Sequence, residues 1–406
     1  MKTYRHKLSL LGAASAMTLL AACGGGGGDY NGPAASSPGT LSVAMTDAPA
    51  CGFDAVNVTV NKVRVHQSST ASDTDGGWAD ITLSPARKIN LLNLTNGALD
   101  QLGQTSLAAG HYTQLRLVLN ANIGQTIANS VVLSGTTAEI ALDTPSAVQS
   151  GIKLVNEFDV PSGQRVDLVL DFDACKSIVT KGNGQYALKP VIKVIPTVLN
   201  GIDGYVSLGV LADHVTVSAQ QNGTVVRSTV PSATGEFFLA RLVPGNYDVV
   251  ITADSRATAV IAAVPVATAT STTILSTTAA PINLLAATAS PGSISGTVTL
   301  NPASTTEYGD VAARQAFSAG PTVTIRERTA DALNGSYTLA NLPTVAPQLG
   351  AYSATLPIAL TTQTNTIPGA GKYAVQASAT GYTTKSTASV DITTANQTGV
   401  NFTLTP

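Results

Sequence analysis

At 406 residues the chain exceeds one usual domain and sets an expectation of two or three. Charged residues are only 11%, and a composition low in Lys and Glu but rich in Thr, Val, Ala and Gly suits β-sandwiches with many turns better than helices. The formal charge is −2; if Lys2, Arg5 and Lys7 leave with an amino-terminal signal, 22 basic residues become 19 against 24 acidic ones, near −5, which argues against nucleic acid as a partner.

Met1 to Ala22 carry the three zones of a secretory signal: basic residues in front, the apolar run Leu8 to Leu20, and small residues before the cut. The run is too short to span a bilayer, which takes about 20 apolar residues, and five glycines, Gly24 to Gly28, follow at once. Leu20-Ala21-Ala22-Cys23 resembles the lipobox of bacterial lipoproteins. The resemblance implies cleavage before Cys23, lipidation of its sulfur and acylation of the new amino terminus. Several chains anchor firmly, since each buried CH₂ contributes about 0.8 kcal/mol. Gly24, where aspartate would resemble inner-membrane retention, implies the outer membrane, on its periplasmic or cell-surface side. From Gly24 to Gly39 the chain reads as a flexible tether.

With Cys23 given to lipid, Cys51 and Cys175 remain, and an even pair in an exported chain reads as a disulfide. It would close a loop of roughly 125 residues, worth on the order of 4–5 kcal/mol in the chain-entropy model.

The first folded domain is expected over 40–196. Leu41 to Met45 alternate in period two and turn at Thr46-Asp47-Ala48-Pro49. In the next strand Val56, Val58 and Val60 share one parity and Val63 and Val65 the other, so a bulge is expected near Asn61-Lys62. A short strand is expected over Trp78 to Leu83, then Ile89 to Leu94, and one helical turn within Gly97 to Leu107. Strands resume at Tyr112 to Leu119, with shorter candidates at Val131 to Leu133, Glu139 to Leu142 and Ile152 to Val160; Val166 to Phe172 and Tyr186 to Ile195 end the series. About eight strands predict a sandwich.

Leu41-Ser42-Val43, Thr46-Asp47-Ala48-Pro49, Lys62 to His66, Trp78, Leu91 to Gly97 and Gly110 to Leu117 together resemble the domain-of-unknown-function family numbered 4382. That family brings no activity with it. It implies an exported bacterial lipoprotein domain followed by other β modules.

A second domain is expected over 201–285, with a tight hairpin at Asn222-Gly223. An internal repeat runs through Gly235-Glu236-Phe237-Phe238-Leu239-Ala240-Arg241-Leu242 with Gly245-Asn246-Tyr247-Asp248-Val249, and through Gly335-Ser336-Tyr337-Thr338-Leu339-Ala340-Asn341-Leu342 with Gly371-Lys372-Tyr373-Ala374-Val375. It resembles the carboxypeptidase regulatory-like domain, a transthyretin-like sandwich grouped with carbohydrate-binding-like folds. The second copy, 292–406, departs from the pattern where Thr344 to Ala370 stand in place of Val243 alone. The end of Asp254 to Ser290 reads as a linker. The whole is therefore all-β, tandem antiparallel sandwiches behind a lipidated tether.

Catalytic signatures are missing: no G-x-S-x-G, H-E-x-x-H or G-x-x-x-x-G-K occurs, and His66, His111 and His214 are scattered. No catalytic residue and no cofactor are assigned. The best ligand constellation is Asp167, Asp171 and Asp173 on the outer face of one strand, with Asp47 and Asp54 near Cys51; hard oxygen donors of this kind suit calcium, while a solvated face explains them as well. Trp78 reads as a sugar platform or as packing. The leading expectation is a non-catalytic outer-membrane lipoprotein whose sandwiches bind or build, with a membrane, a glycan or an envelope protein as partner. The alternatives are a carbohydrate-binding lipoprotein and an accessory subunit of a separately encoded envelope enzyme.

Overall fold

Residue parity in the long strand Phe53–His66 sets the first unit. Val56, Val58 and Val60 are buried, and Val63 and Val65 stay buried after the parity change because the register with both neighbouring strands, Ala79–Asn90 and Gln114–Leu119, shifts between Val60 and Lys62. This is the bulge expected from the sequence. The computed structural model describes residues 37–48, 52–154, 156–182, 184–197 and 199–406. It is 53% strand and 5% helix, with multiple sheets, and so all-β.

In the first unit a four-stranded sheet runs Ile192–Pro196, Arg165–Asp173, Gly39–Ala48, Asp100–Leu107, its central pair parallel. It faces a larger sheet built on Phe53–His66, and Leu41, Met45, Leu115, Leu117, Leu170 and Phe172 fill the space between them. Several expected elements differ. Ala79 to Leu83 and Ile89 belong to one strand, Ala79–Asn90, with Trp78 just ahead of it, and the helical turn is Leu91–Leu94, where the Asn90 side chain accepts from the Leu92 amide and Leu91 and Leu94 are buried. The stretch expected to hold a turn is instead a strand, Asp100–Leu107, along the edge of Gly39–Ala48. Tyr186 to Ile195 is two strands in different sheets, Tyr186–Leu188 and Ile192–Pro196, since Pro190 between them offers no N–H to a ladder. Ile152 to Val160 likewise divides, into Ile152–Leu154 and Phe158–Val160.

The next two units share one topology. In the second, Gly201–Tyr205 lies between Glu236–Ala240, antiparallel, and Thr272–Ile274, parallel; in the third, Gly292–Leu300 lies between Ser336–Leu342 and Phe402–Leu404 in the same senses. The opposing sheets match as well: Thr224–Thr229, Thr216–Gln221, Gly245–Thr252 and Ala259–Val266 in one, Thr322–Thr329, Asp310–Phe317, Lys372–Ser378 and Lys385–Asp391 in the other. The repeated letters have repeated duties. Arg241 and Asn341 both take left-handed φ, 57° and 54°. The Tyr247 hydroxyl donates to the Val243 carbonyl at 2.6 Å and the Tyr373 hydroxyl to the Pro343 carbonyl at 2.5 Å. A Cβ at Gly235 or Gly335 would stand 2.4 or 2.2 Å from the carbonyl oxygen of Val206 or Val298, so both turns require glycine. Asn222 and Gly223, at φ 52° and 74°, close the expected hairpin.

The insertion Thr344 to Ala370 reaches back to the second unit. Its strand Gln348–Ala351 adds in parallel to Ala259–Val266, and Thr361–Thr362 adds beyond it. The second unit's large sheet thereby has a core on each face: Val249, Ile251 and Ile261 pack in its own, while Val250 and Val260 belong to the core of the third. The segment read as a linker is also shorter than expected, because Leu275, Ile282 and Leu284 are buried in the second unit and the Ala287 amide still bonds to the Ser255 carbonyl.

Candidate functional site

Several charged and polar side chains converge where the units meet. Two segments of the first unit, the end of the strand Gly39–Ala48 and the Leu91–Gly97 region, are tied together by Thr46, whose hydroxyl lies 3.0 Å from the Leu94 carbonyl and 2.8 Å from that of Ala98. Asn96, at φ 56°, reaches from the latter into the second unit. Its Oδ1 accepts from the Thr229 hydroxyl at 2.7 Å and from the Phe238 amide at 3.1 Å, its Nδ2 donates to the Val230 carbonyl at 3.1 Å, and its amide donates to Thr229. Beside it Arg227 of the second unit makes an ion pair with Asp171 of the first, with side chains only 9% and 6% exposed. Arg241 donates to the Gly97 carbonyl at 3.2 Å, and burial, then the neighbouring Arg227, pull its guanidinium below its usual pKa.

A second cleft, of about 90 Å³, opens where all three units meet, lined among others by Asp173, Lys176, Gln220, Ser228, Thr324 and Glu327. Lys176, on the single helical turn Ala174–Ser177, pairs with Glu327 of the third unit at 2.8 Å. Burial pushes the Glu327 and Asp173 carboxyls up, with Lys176 only partly offsetting it. Burial alone would pull Lys176 down, but Glu327, Asp173 and Asp310 together raise it. Further contacts join the first and third units: Lys189 with Glu307 at 3.3 Å, the Gly182 amide with Asp331 at 2.7 Å, and the Ala332 amide with the Thr180 carbonyl at 2.9 Å.

The acidic face expected on Arg165–Asp173 is therefore not one solvated surface. Asp167 pairs with Arg165 at 2.7 Å; Asp171 is buried under Arg227; Asp173 caps the helical turn, accepting from the Lys176 amide at 3.1 Å. Docking of the second unit separates three residues that share one parity. Among the described residues no three His, Cys, Asp or Glu side chains gather as a metal cluster. Asp47 accepts from the Ala174 amide at 3.1 Å and Asp54 from the Gly135 amide at 2.9 Å. Cys175 lies on the helical turn that lines the three-unit cleft. Cys23, Cys51, the signal and most of the tether lie outside the described residues.

Trp78 is half-buried, with the Arg64 and Arg116 guanidiniums each 4.7 Å from its ring centroid, the His66 ring at 5.0 Å and its indole N–H on the Ser72 carbonyl. Arg116 is buried and bonded to Gln114, Ser150 and Ala71, so this group is a packed cap on the larger sheet rather than a bare platform. The histidines are engaged separately: His66 with the Gly76 carbonyl, His111 with Asp159 and Glu157, His214 with Asp254. Sequence reading missed Asn96, Arg227, Lys176 and Glu327. Only Asn96 carried a local signal, as the Asn-Gly of a turn.

Residues 38–190 match the family model described as Domain of unknown function (DUF4382). The matched stretch contains Asn96, Gly97 and Asp171, which bond to the second unit. No curated protein matches the chain. Among solved structures, the Bacillus anthracis TIE protein is aligned at 10% identity over 90% of this chain and 50% of its own, with a TM-score of 0.17. This chain thus spans half the length of that protein. The Corynebacterium diphtheriae major pilin SpaA aligns at 10% identity over 91% and 100%, TM-score 0.19, and the Streptococcal ancillary pilin at 9% over 90% and 98%, TM-score 0.15. None is a close structural match. Among the described residues no helix is long and apolar enough to cross a membrane.

Proposed function

We propose that the chain is a non-catalytic lipoprotein of the outer membrane, held by lipid on Cys23, whose β-sandwiches form a joined array for display or assembly. The observation that carries this reading is how the polar side chains at the junctions are used. Asn96, Arg227, Lys176 and Glu327 hold one unit to another and present no acid, base and nucleophile together. The lipobox and polyglycine tether support the anchor. The matching topology of the second and third units, with the repeated tyrosine and glycine positions, supports their kinship with carboxypeptidase regulatory-like domains. A Cys51–Cys175 disulfide belongs to the same proposal, supported by the even pair these cysteines make once Cys23 is given to lipid. It would tie the segment after Gly39–Ala48 in sequence to the helical turn Ala174–Ser177.

Cys23→Ser tests the anchor: radiolabelled palmitate should enter the wild type only, and the variant should leave the membrane fraction or stay an uncleaved precursor. A mature, labelled serine variant still in the membrane fraction would refute it. Non-reducing peptide mapping of periplasmic protein should join Cys51 to Cys175; two free thiols there would refute the bridge.

A further inference from the structure

Residues 67–78 connect the strands Phe53–His66 and Ala79–Asn90 and fold onto the larger sheet of the first unit. Side chains of that sheet hold the middle of the segment: Gln114 donates to the Ser68 and Ala71 carbonyls, Arg116 to that of Ala71, and Arg64 to that of Asp73. The two ends of the segment meet on one ring. The Ser68 amide donates to His66 Nδ1 at 2.8 Å, and Nε2 of the same imidazole lies 2.9 Å from the Gly76 carbonyl oxygen. Gly77, at φ 91°, comes so close that a Cβ there would stand 3.0 Å from Nε2. An amide N–H only donates and a carbonyl only accepts, so a single form of the ring serves both contacts: neutral, with its proton on Nε2. A second proton, on Nδ1, would set one donor against another.

We propose that His66 is a proton-operated latch: neutral, it joins the two ends of the 67–78 segment, and protonated, it releases Ser68 and loosens the segment over Trp78 and Arg116. The charges around the ring act in the same sense. Gln114, which stands opposite His66, is neutral, but Arg64, two residues earlier on the same strand, stands opposite Arg116. Both guanidiniums lie 4.7 Å from the centroid of the Trp78 ring, and the His66 ring is 5.0 Å from the same centroid, so a protonated imidazole would be a third cation beside two. The carboxylates nearby are already engaged. Asp80 pairs with Lys62 and Arg64, Asp73 acts on Arg116, and Asp75, which also feels His66, is bonded through both oxygens to Ser72. Release would bare the chain's only tryptophan together with a guanidinium that is 2% exposed when the segment is closed. This inference goes beyond the function proposed above and rests on neither the lipid anchor nor the joints between units.

Trp78 reports on the latch directly, so its fluorescence in the full chain, followed from about pH 8 to about pH 5, where histidine changes charge and ordinary carboxylates do not, tests the proposal. Acidification should move the emission to longer wavelength, increase its quenching by acrylamide, and lower amide protection in residues 67–77 about tenfold, the scale of one lost hydrogen bond and one new repulsive contact. Protection in the neighbouring strand Gln114–Leu119 should hold. His66→Asn keeps an acceptor near the place of Nδ1 but has no titrating proton, so its emission and protection should stay level over the same range. His111→Gln, altered in the separate strand Gly110–Tyr112, should respond as the wild type does. An imidazolium dims a neighbouring indole without any movement, so a fall in intensity with unmoved wavelength and unchanged protection would overturn the proposal. A His66→Asn variant that follows the wild-type curve, or a wild type that stays level throughout, would overturn it as well.

Discussion

Burying Arg227 against Asp171 takes two full charges out of water, and such a pair stabilises only while both members are present. Arg227→Met should therefore destabilise the full chain by about 3–5 kcal/mol, whereas Asp171→Leu with Arg227→Met should recover most of that loss. Urea denaturation gives both numbers; additive losses would show that the two residues do not act as a pair. Titration at the three-unit junction has two signs. Glu327 and Asp173 are raised on folding, so their contribution is fully present below their unfolded values, near about 4, and is lost as pH rises through their folded values. Asp331 is the opposite case: burial would raise it, but donors from Leu333, Thr180, Gly182 and Asn334 outweigh burial and hold it low, so its contribution is lost as pH falls. Between pH 4.5 and 7, wild-type stability should accordingly decline more steeply than that of Glu327→Gln; parallel curves in urea midpoints would remove Glu327 from the account.

At the scale of elements, the repeated corner makes its own prediction. Tyr247→Phe and Tyr373→Phe each leave a carbonyl without its hydroxyl donor and should cost about 0.5–1.5 kcal/mol, similar in both units. Gly335→Ala should cost more than either, since it adds a Cβ 2.2 Å from a carbonyl oxygen at φ 68°. Thermal midpoints of the three variants check the order, and a Gly335→Ala variant as stable as wild type would contradict the corner geometry. These elements were legible because glycine, tyrosine and the Asn222-Gly223 pair act locally, as did the valine parity change at Asn61. What could not be read was pairing at a distance. Pro190 redirects one expected strand into two sheets, and Asp100–Leu107 is a strand only because Gly39–Ala48 offers it an edge. The candidate site was less legible than the fold. Asp167, Asp171 and Asp173 share a parity that announces one face, but whether that face is wet depends on Arg227, fifty-six residues after Asp171 in the chain.

At the scale of the whole molecule, the question is whether the units behave as separate beads or as one body. Sequence alone favours beads, because tandem sandwiches usually keep one core each. Two features oppose that here: Val250 and Val260 of the second unit lie in the third unit's core, and Gln348–Ala351, inserted in the third unit, extends the second unit's sheet. A core defect in the third unit should therefore reach the second. Leu339 is 2% exposed, and Leu339→Ala should cost about 2–5 kcal/mol. If the sheet with cores on both faces is one cooperative element, amide exchange in Gly245–Thr252 should accelerate in this variant along with exchange in Lys372–Ser378, and calorimetry should show a single transition for the two units. The first unit, joined by hydrogen bonds and ion pairs rather than by a shared core, should keep its slow exchange in Phe53–His66. Unchanged exchange in Gly245–Thr252 would return the second and third units to independent beads. The added strand would then be a surface contact, and the array would owe its shape to the polar joints alone.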